Sequence, residues 1–285
     1  MRSRVSTRLI ASAQHWACGW WLNLFIHEFR TDLLPNPALN RSVGPLQMCR
    51  SEKSVWLTIF AVEAIFIILT RVVLSRYWTY SLDAELIRTP LRLVAIFVYW
   101  HFLREFIKSE HIMRSSLLQP ALLLPLALFL SVPLLVGDLS YMTPTTKVVY
   151  AVTSIVVALK EEIAFRAIIQ PLLAKKFGNL IAILLTTILF TAYHIGAIPL
   201  LPFAYGQVIF AGLLLGIVYA RSQNLWLIVW LHTLYDALWS VTPVLSPPLP
   251  YSVGFAVLSG SVLLVLRWGW SAIRPNPATH RTLKL

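Results

Sequence analysis

The chain has 285 residues, 58% of them hydrophobic and 13% charged, with a mean hydropathy of +0.71. Soluble domains carry about 25% charged residues, so this composition excludes an ordinary soluble enzyme and indicates a polytopic membrane protein. The net charge of +12 does not mark nucleic-acid binding, because the basic residues gather at the ends of apolar runs. No RNP-like, helix-turn-helix or zinc-finger pattern accompanies them.

Residues 1–54 are basic and irregular. Within them the apolar run from Trp16 to Ile26 is too short to cross a bilayer, which takes about 20 residues. It reads as an interfacial helix with Trp16, Trp20 and Trp21 at headgroup level. Glu28 to Asp32 follow it instead of a small-x-small site, so a cleaved signal peptide is not the reading. Cys18 and Cys49 are the only cysteines and lack C-x-x-C spacing, which excludes a disulfide framework or a cysteine-rich zinc site.

Eight candidate spans follow at 55–74, 91–107, 120–136, 147–173, 179–197, 206–221, 224–242 and 251–272. The fold expected is all-α, a polytopic integral membrane bundle of about eight transmembrane helices. Four sections divide the chain. They are the basic segment 1–54, N-terminal transmembrane helices 55–140, a core 141–245, and a last helix with a basic tail, 246–285. Pro171 is expected to end or kink the fourth span. Gly212 and Gly216 form a G-x-x-x-G in the sixth, a device for close helix packing.

Charge orients the bundle. With both termini cytoplasmic, the inside connections carry Lys108, Arg114, Lys175, Lys176 and Arg221, and the tail carries Arg274, Arg281 and Lys284. The outside connections 137–146, 198–205 and 243–250 contain no lysine or arginine. Arg76 and Arg88 in the first connection break this pattern. Positive charge marks the cytoplasmic side, so a multi-pass protein of the cell membrane with both ends inside is expected.

Ionisable groups at the bilayer centre cost on the order of 2.5–3.5 kcal/mol each and are by default a functional-site hypothesis. Here Glu161 and Glu162 are adjacent, Arg166 follows four residues after Glu162, and two later spans carry His194 and the His232–Asp236 pair. Residues four apart share a helix face, so Glu162 can pair with Arg166 while Glu161 points about a quarter-turn away. One carboxylate is then held by a cation, and the other is left for chemistry. With the two histidines and Asp236, Glu161 offers a general base and polar groups for an oxyanion, enough to turn water on an amide carbonyl. No G-x-S-x-G is present and none is needed. Taken alone, the Glu162–Arg166 pair is equally a structural ion pair, and each histidine a structural hydrogen bonder. Glu63 stands isolated in the first span, and His101, Arg104 and Glu105 lie near the end of the second, where long side chains reach the interface.

At these residues the sequence resembles the CPBP family, named for CAAX proteases and bacteriocin-processing enzymes and also called Abi. Its pattern is E-E-x-x-x-R, then F-x-x-x-H, then H-x-x-x-N or a polar variant. Glu161 to Arg166, Phe190 to His194 and His232 to Asp236 match it in order and spacing across roughly 147–240. The resemblance implies a glutamic-type intramembrane endopeptidase. In it Glu161 activates water, His194 and His232 assist, His232 and Asp236 lie near the water and the oxyanion, and Glu162 and Arg166 support the geometry. The implied partners are the bilayer and a membrane-anchored or lipidated protein or peptide. A prenylated tail, a bacteriocin leader and a C-terminal sorting anchor all fit. Asp236 stands where prenyl-processing members commonly have asparagine, and an ionised aspartate cannot donate to an oxyanion. No cofactor is expected. A zinc-dependent version is disfavoured because the H-E-x-x-H helix is missing. The competing readings are a non-catalytic immunity or scaffold protein with a structural polar cluster, and a transporter, which would commonly show internal repeats.

Overall fold

The computed structural model describes residues 51–74, 77, 81–111, 120–196 and 201–273, without the side chains of 104–111 and 271–273. The interfacial helix expected in 1–54, the side chains of Arg104 and Glu105, and the tail with Arg274, His280, Arg281 and Lys284 lie outside this description. The described residues belong to one compact unit that begins at Ser51.

Eight helical rods make up the described residues, with no strand among them. They are α1 Glu52–Leu74, α2 Leu82–His111, α3 Pro120–Val136, a long rod starting as α4 Pro144–Glu162, α6 Asn179–Tyr193, α7 Pro202–Ser222, α8 Leu225–Trp239 and α9 Tyr251–Ile273. The long rod continues from α4 through a π-helical segment, Ile163–Ile169, into α5, Gln170–Phe177. The helices α1, α2, α7 and α9 are long and apolar enough to cross a membrane. The apolar α3, α6 and α8 are shorter, with 17, 15 and 15 residues. Large apolar side chains point outward, Leu57, Val72, Phe97, Val152 and Leu263 among them, each more than 60% exposed. A soluble fold would bury such residues; a bilayer solvates them.

Local sequence sets the ends of the rods. Thr143 caps α4 by accepting the Thr146 amide at 3.2 Å, and Pro144 occupies the first turn, where its missing N–H costs nothing. Asn224 caps α8 through the Leu227 amide at 3.0 Å. Gly178, at φ +80°, stops α5 in a conformation that L side chains rarely adopt.

Two expectations change here. The fourth span does not end at Pro171. The helix passes it, with a wider turn immediately upstream in which the Gln170 amide reaches back five residues to the Phe165 carbonyl. That wider turn accommodates a proline that would otherwise crowd the preceding carbonyl. The second span begins at Leu82, not residue 91. Hydropathy missed its first nine residues because they include Asp83, Glu85 and Arg88. Arg88, expected in a connection, is therefore a helical residue.

In the core, α4 lies against α2 and α8, α7 against α6 and α9, and α9 against α3. The glycine pair of α7 brings two backbones together. A Cβ added at Gly212 would sit 3.0 Å from Thr187, and one at Gly216 would sit 3.2 Å from Ile183. The close approach also opens two carbonyls to side chains of the long rod. The Gly216 carbonyl accepts from Gln170 at 2.9 Å, and the Gly212 carbonyl accepts weakly from Arg166 at 3.4 Å. Packing was the expected role of G-x-x-x-G; supplying acceptors to buried polar groups is a second one.

Candidate active site

Glu161 stands near the middle of the Pro144–Phe177 rod, about 25 Å from either end at 1.5 Å per residue. Three consecutive ionisable residues, Lys160, Glu161 and Glu162, are buried there. Successive helical residues diverge by about 100°, and each of the three meets a different neighbour.

Lys160 turns toward α1 and α2. Its ammonium pairs with Glu63 and donates to the Tyr193 hydroxyl at 2.9 Å, while the Tyr99 hydroxyl donates to the other Glu63 oxygen. The ammonium also lies over the Phe66 and Tyr193 rings at 4.3 and 4.4 Å. Glu63 is thus not isolated, as its sequence context suggested. It is the counter-charge of Lys160, and it ties α1 and α2 to the rod.

Glu162 turns toward α8. One carboxylate oxygen lies 2.6 Å from His232 Nδ1 and the other 3.3 Å from Arg166 Nε. Glu162 and Arg166 are both fully buried. The guanidinium also stacks on Phe190, 4.5 Å from its centroid. An ionised carboxylate can only accept, so the Nδ1–H of His232 donates to Glu162 and fixes the ring. Its Nε2 then faces the cavity, 3.4 Å from Asp236 and 4.0 Å from Glu161.

Glu161 turns into the cavity. Its Oε2 is buried without a hydrogen-bond partner. It lies 3.8 Å from His194 Nε2, which like the His232 separation is too long for a direct hydrogen bond. His194 sits where α6 ends, and its Nδ1–H donates to the Phe190 carbonyl at 2.8 Å. That bond holds the ring with Nε2 toward Glu161. The Phe-x-x-x-His spacing thus has a local function, since a histidine reaches back one turn to its own helix.

The structure brings all six expected residues together. Glu161, His194, His232 and Asp236 line a cavity of about 440 Å³, within the range typical of ligand sites. Glu162 and Arg166 stand behind it. From this polar floor the cavity extends to Leu139, Met142, Ser240 and Tyr251 at the connections 137–143 and 240–251. Arg88, Arg92 and Glu85 also line it, and the sequence reading gave none of them a role. A helical period through a polar helix start would have flagged them, since 85, 88 and 92 share one face.

The fit of zinc can be judged from the donor set. Donors around a tetrahedral zinc with bonds of 2.0–2.1 Å stand about 3.3 Å apart. The Glu161 oxygen stands 3.8 and 4.0 Å from the two imidazole nitrogens. Among the described residues no group of three or more His, Cys, Asp or Glu has metal-holding geometry.

A family model described as "Type II CAAX prenyl endopeptidase Rce1-like" matches residues 143–238. Comparison with curated proteins and with solved structures gives no match. The matched segment starts at the cap of α4, ends with α8, and contains all six of the residues above. Such a family is one of membrane-embedded peptide hydrolases. Residues 143–238 of this chain are accordingly similar to the Rce1-like, type II CAAX prenyl endopeptidase (CPBP) family.

Proposed function

We propose that the protein is an intramembrane endopeptidase that hydrolyses a peptide bond of a membrane-anchored or lipidated substrate with water activated by Glu161. The observation that carries this reading is the buried Glu161 oxygen, without a partner, facing Nε2 of both histidines across 3.8 and 4.0 Å. Gaps of that size suit one water held between the three groups. Glu161 takes a proton from the water as its oxygen attacks the scissile carbonyl carbon. His194, with Nδ1–H committed to Phe190, presents Nε2 as the acceptor that orients the other water proton.

Charge then builds on the carbonyl oxygen. His232 has a carboxylate facing each ring nitrogen, an arrangement suited to a doubly protonated ring whose Nε2–H stabilises that oxyanion. This gives Asp236 a task that fits aspartate, holding His232 rather than donating to the oxyanion itself. As the tetrahedral intermediate collapses, Glu161 returns its proton to the leaving amine, and the products are a carboxylate and an amine. The chemistry requires no metal.

The test is cleavage of membrane-anchored and prenylated peptides by the purified protein in detergent. Release of a C-terminal fragment that persists in chelator is the expected result. Strong inhibition by chelator, reversed by zinc, would overturn the metal-free mechanism.

The basic connections support an orientation with both termini cytoplasmic. Finding Arg88 inside α2 removes one of its two exceptions. The cavity then opens toward the opposite face, where the connections 137–143 and 240–250 lie. A cysteine in place of exposed Tyr141 should react with membrane-impermeant maleimide in intact cells. Reaction only after lysis would reverse the orientation.

A further inference from the structure

His194 faces Glu161 from a weak place in the fold. It stands one residue beyond the end of α6, where the last carbonyls of a helix lack intrahelical partners. Its Nδ1–H bond to Phe190 orients the ring on its own helix but sets nothing relative to the long rod. Its two chain neighbours do that. The Tyr193 hydroxyl accepts from Lys160 at 2.9 Å, and the Lys160 ammonium is paired with Glu63 of α1. Lys160 and Tyr193 immediately precede Glu161 and His194, so their hydrogen bond runs beside the gap between those two. The Tyr193 ring also stands edge-on to the His194 ring, with centroids 5.4 Å apart. On the other side of the histidine, the Ile195 carbonyl accepts from the guanidinium of Arg71, again on α1.

The turn after α6 is shaped to admit Arg71. Gly196 has φ +76°, where glycine is favoured, and a Cβ added there would stand 2.5 Å from the Arg71 guanidinium. A cation at this point also suits the negative end of the α6 dipole. Glu63 and Arg71 are eight residues apart on α1, about 80° round the helix and about 12 Å along it. One side of α1 thus serves both neighbours of His194. A carboxylate within a membrane span is costly and by default functional. Yet α1 lies outside residues 143–238, the segment that matches the family.

We infer that α1 is a positioning element for the reaction at Glu161, with Glu63 and Arg71 as its positioning residues. Glu63 acts through Lys160 and Tyr193, and Arg71 through the Ile195 carbonyl. Together they hold the frayed end of α6 so that His194 Nε2 stays opposite Glu161, across the space where water is activated. Neither residue touches substrate. The inference rests on the proposed protease reading of the Glu161 cavity.

The test separates positioning from folding. Arg71 is exposed, so Arg71→Gln should keep the wild-type unfolding midpoint in detergent. It should lower kcat on a membrane-anchored peptide about 10- to 100-fold, the scale of a small misplacement, with KM unchanged. Arg71→Lys keeps a charged donor and should recover much of the loss. Glu63→Gln combined with Lys160→Met removes both members of the buried pair, strands no charge, and should lower kcat in the same way. The nitrogen NMR signal of the His194 ring, assigned by its absence from His194→Gln, gives a readout that needs no cleavage. It should report the single Nδ1–H tautomer in the wild type. In Arg71→Gln and in the double variant it should report an average of the two tautomers, because a frayed end releases the Phe190 bond. Wild-type kcat with the single-tautomer signal in either variant overturns the inference. So does a loss of kcat in Arg71→Gln that comes with a lowered midpoint, since a purely structural arginine would do that. If the wild type cleaves no peptide, the protease reading fails, and the His194 signal still decides whether α1 holds the ring.

Discussion

Glu161→Gln should lower the rate of peptide cleavage by about 10²- to 10⁴-fold, the usual contribution of a positioned general base, while the protein stays folded. The two halves of this expectation have separate structural grounds. The amide has nearly the shape of the carboxylate but cannot take the proton from water. Glu161 makes no close ion pair among the described residues, and the imidazole nitrogens of His194 and His232 stand 3.8 and 4.0 Å away. Its loss therefore leaves no buried cation uncompensated. Cleavage of a prenylated or membrane-anchored peptide, alongside thermal unfolding in the same detergent, checks both halves. An unchanged rate would show that another group activates the nucleophile.

The neighbouring carboxylate should behave in the opposite way. Arg166→Ala or Glu162→Ala removes one member of a fully buried pair and strands the other, which typically costs about 3–5 kcal/mol. The loss spreads further than the pair. Glu162 also fixes His232 at 2.6 Å, and Arg166 also packs on Phe190 and reaches the Gly212 carbonyl. Both variants should unfold well below the wild-type midpoint and be inactive through lost structure. A variant of Arg166 with a wild-type midpoint would mean that the pair holds nothing together. In the proposed mechanism the two adjacent glutamates should divide into one whose loss removes chemistry and one whose loss removes the fold.

Much of the geometry behind this expectation was legible in the sequence. The offset between adjacent helical residues separates Glu161 from Glu162, and the four-residue spacing predicts the contact with Arg166 that the structure has at 3.3 Å. Apolar run lengths located the rods to within a few residues, except where polar side chains face the interior. At the start of α2, Glu85, Arg88 and Arg92 make the segment read as a connection because hydropathy averages over faces and cannot tell a cavity from solvent. The Lys160–Glu63 pair was illegible for another reason. Its members lie 97 positions apart, and spacing rules reach only across one or two helical turns. The π-helical turn before Pro171 was equally hidden. A proline signals trouble with the ladder, but not whether the chain answers by ending, kinking or widening.

The departure at Asp236 reads differently with the geometry in view. An ionised aspartate cannot stand in for a neutral donor to the oxyanion. With Asp236 3.4 Å from His232 Nε2 and Glu162 2.6 Å from Nδ1, the ring has an acceptor on each side. In the proposed mechanism the donor role passes from the fifth residue of the motif to its first.

The account's central claim is that Glu161 drives hydrolysis of a membrane-anchored chain. Its most direct test compares the terminal peptides of membrane proteins from cells making the wild-type protein with those from cells making Glu161→Gln at equal folded levels. The account predicts at least one membrane-anchored protein that loses a short terminal fragment with the wild type and keeps it with the variant. Identical termini in the two, with the protein's biological effect preserved in both, would contradict it and favour a non-catalytic role for the polar cluster.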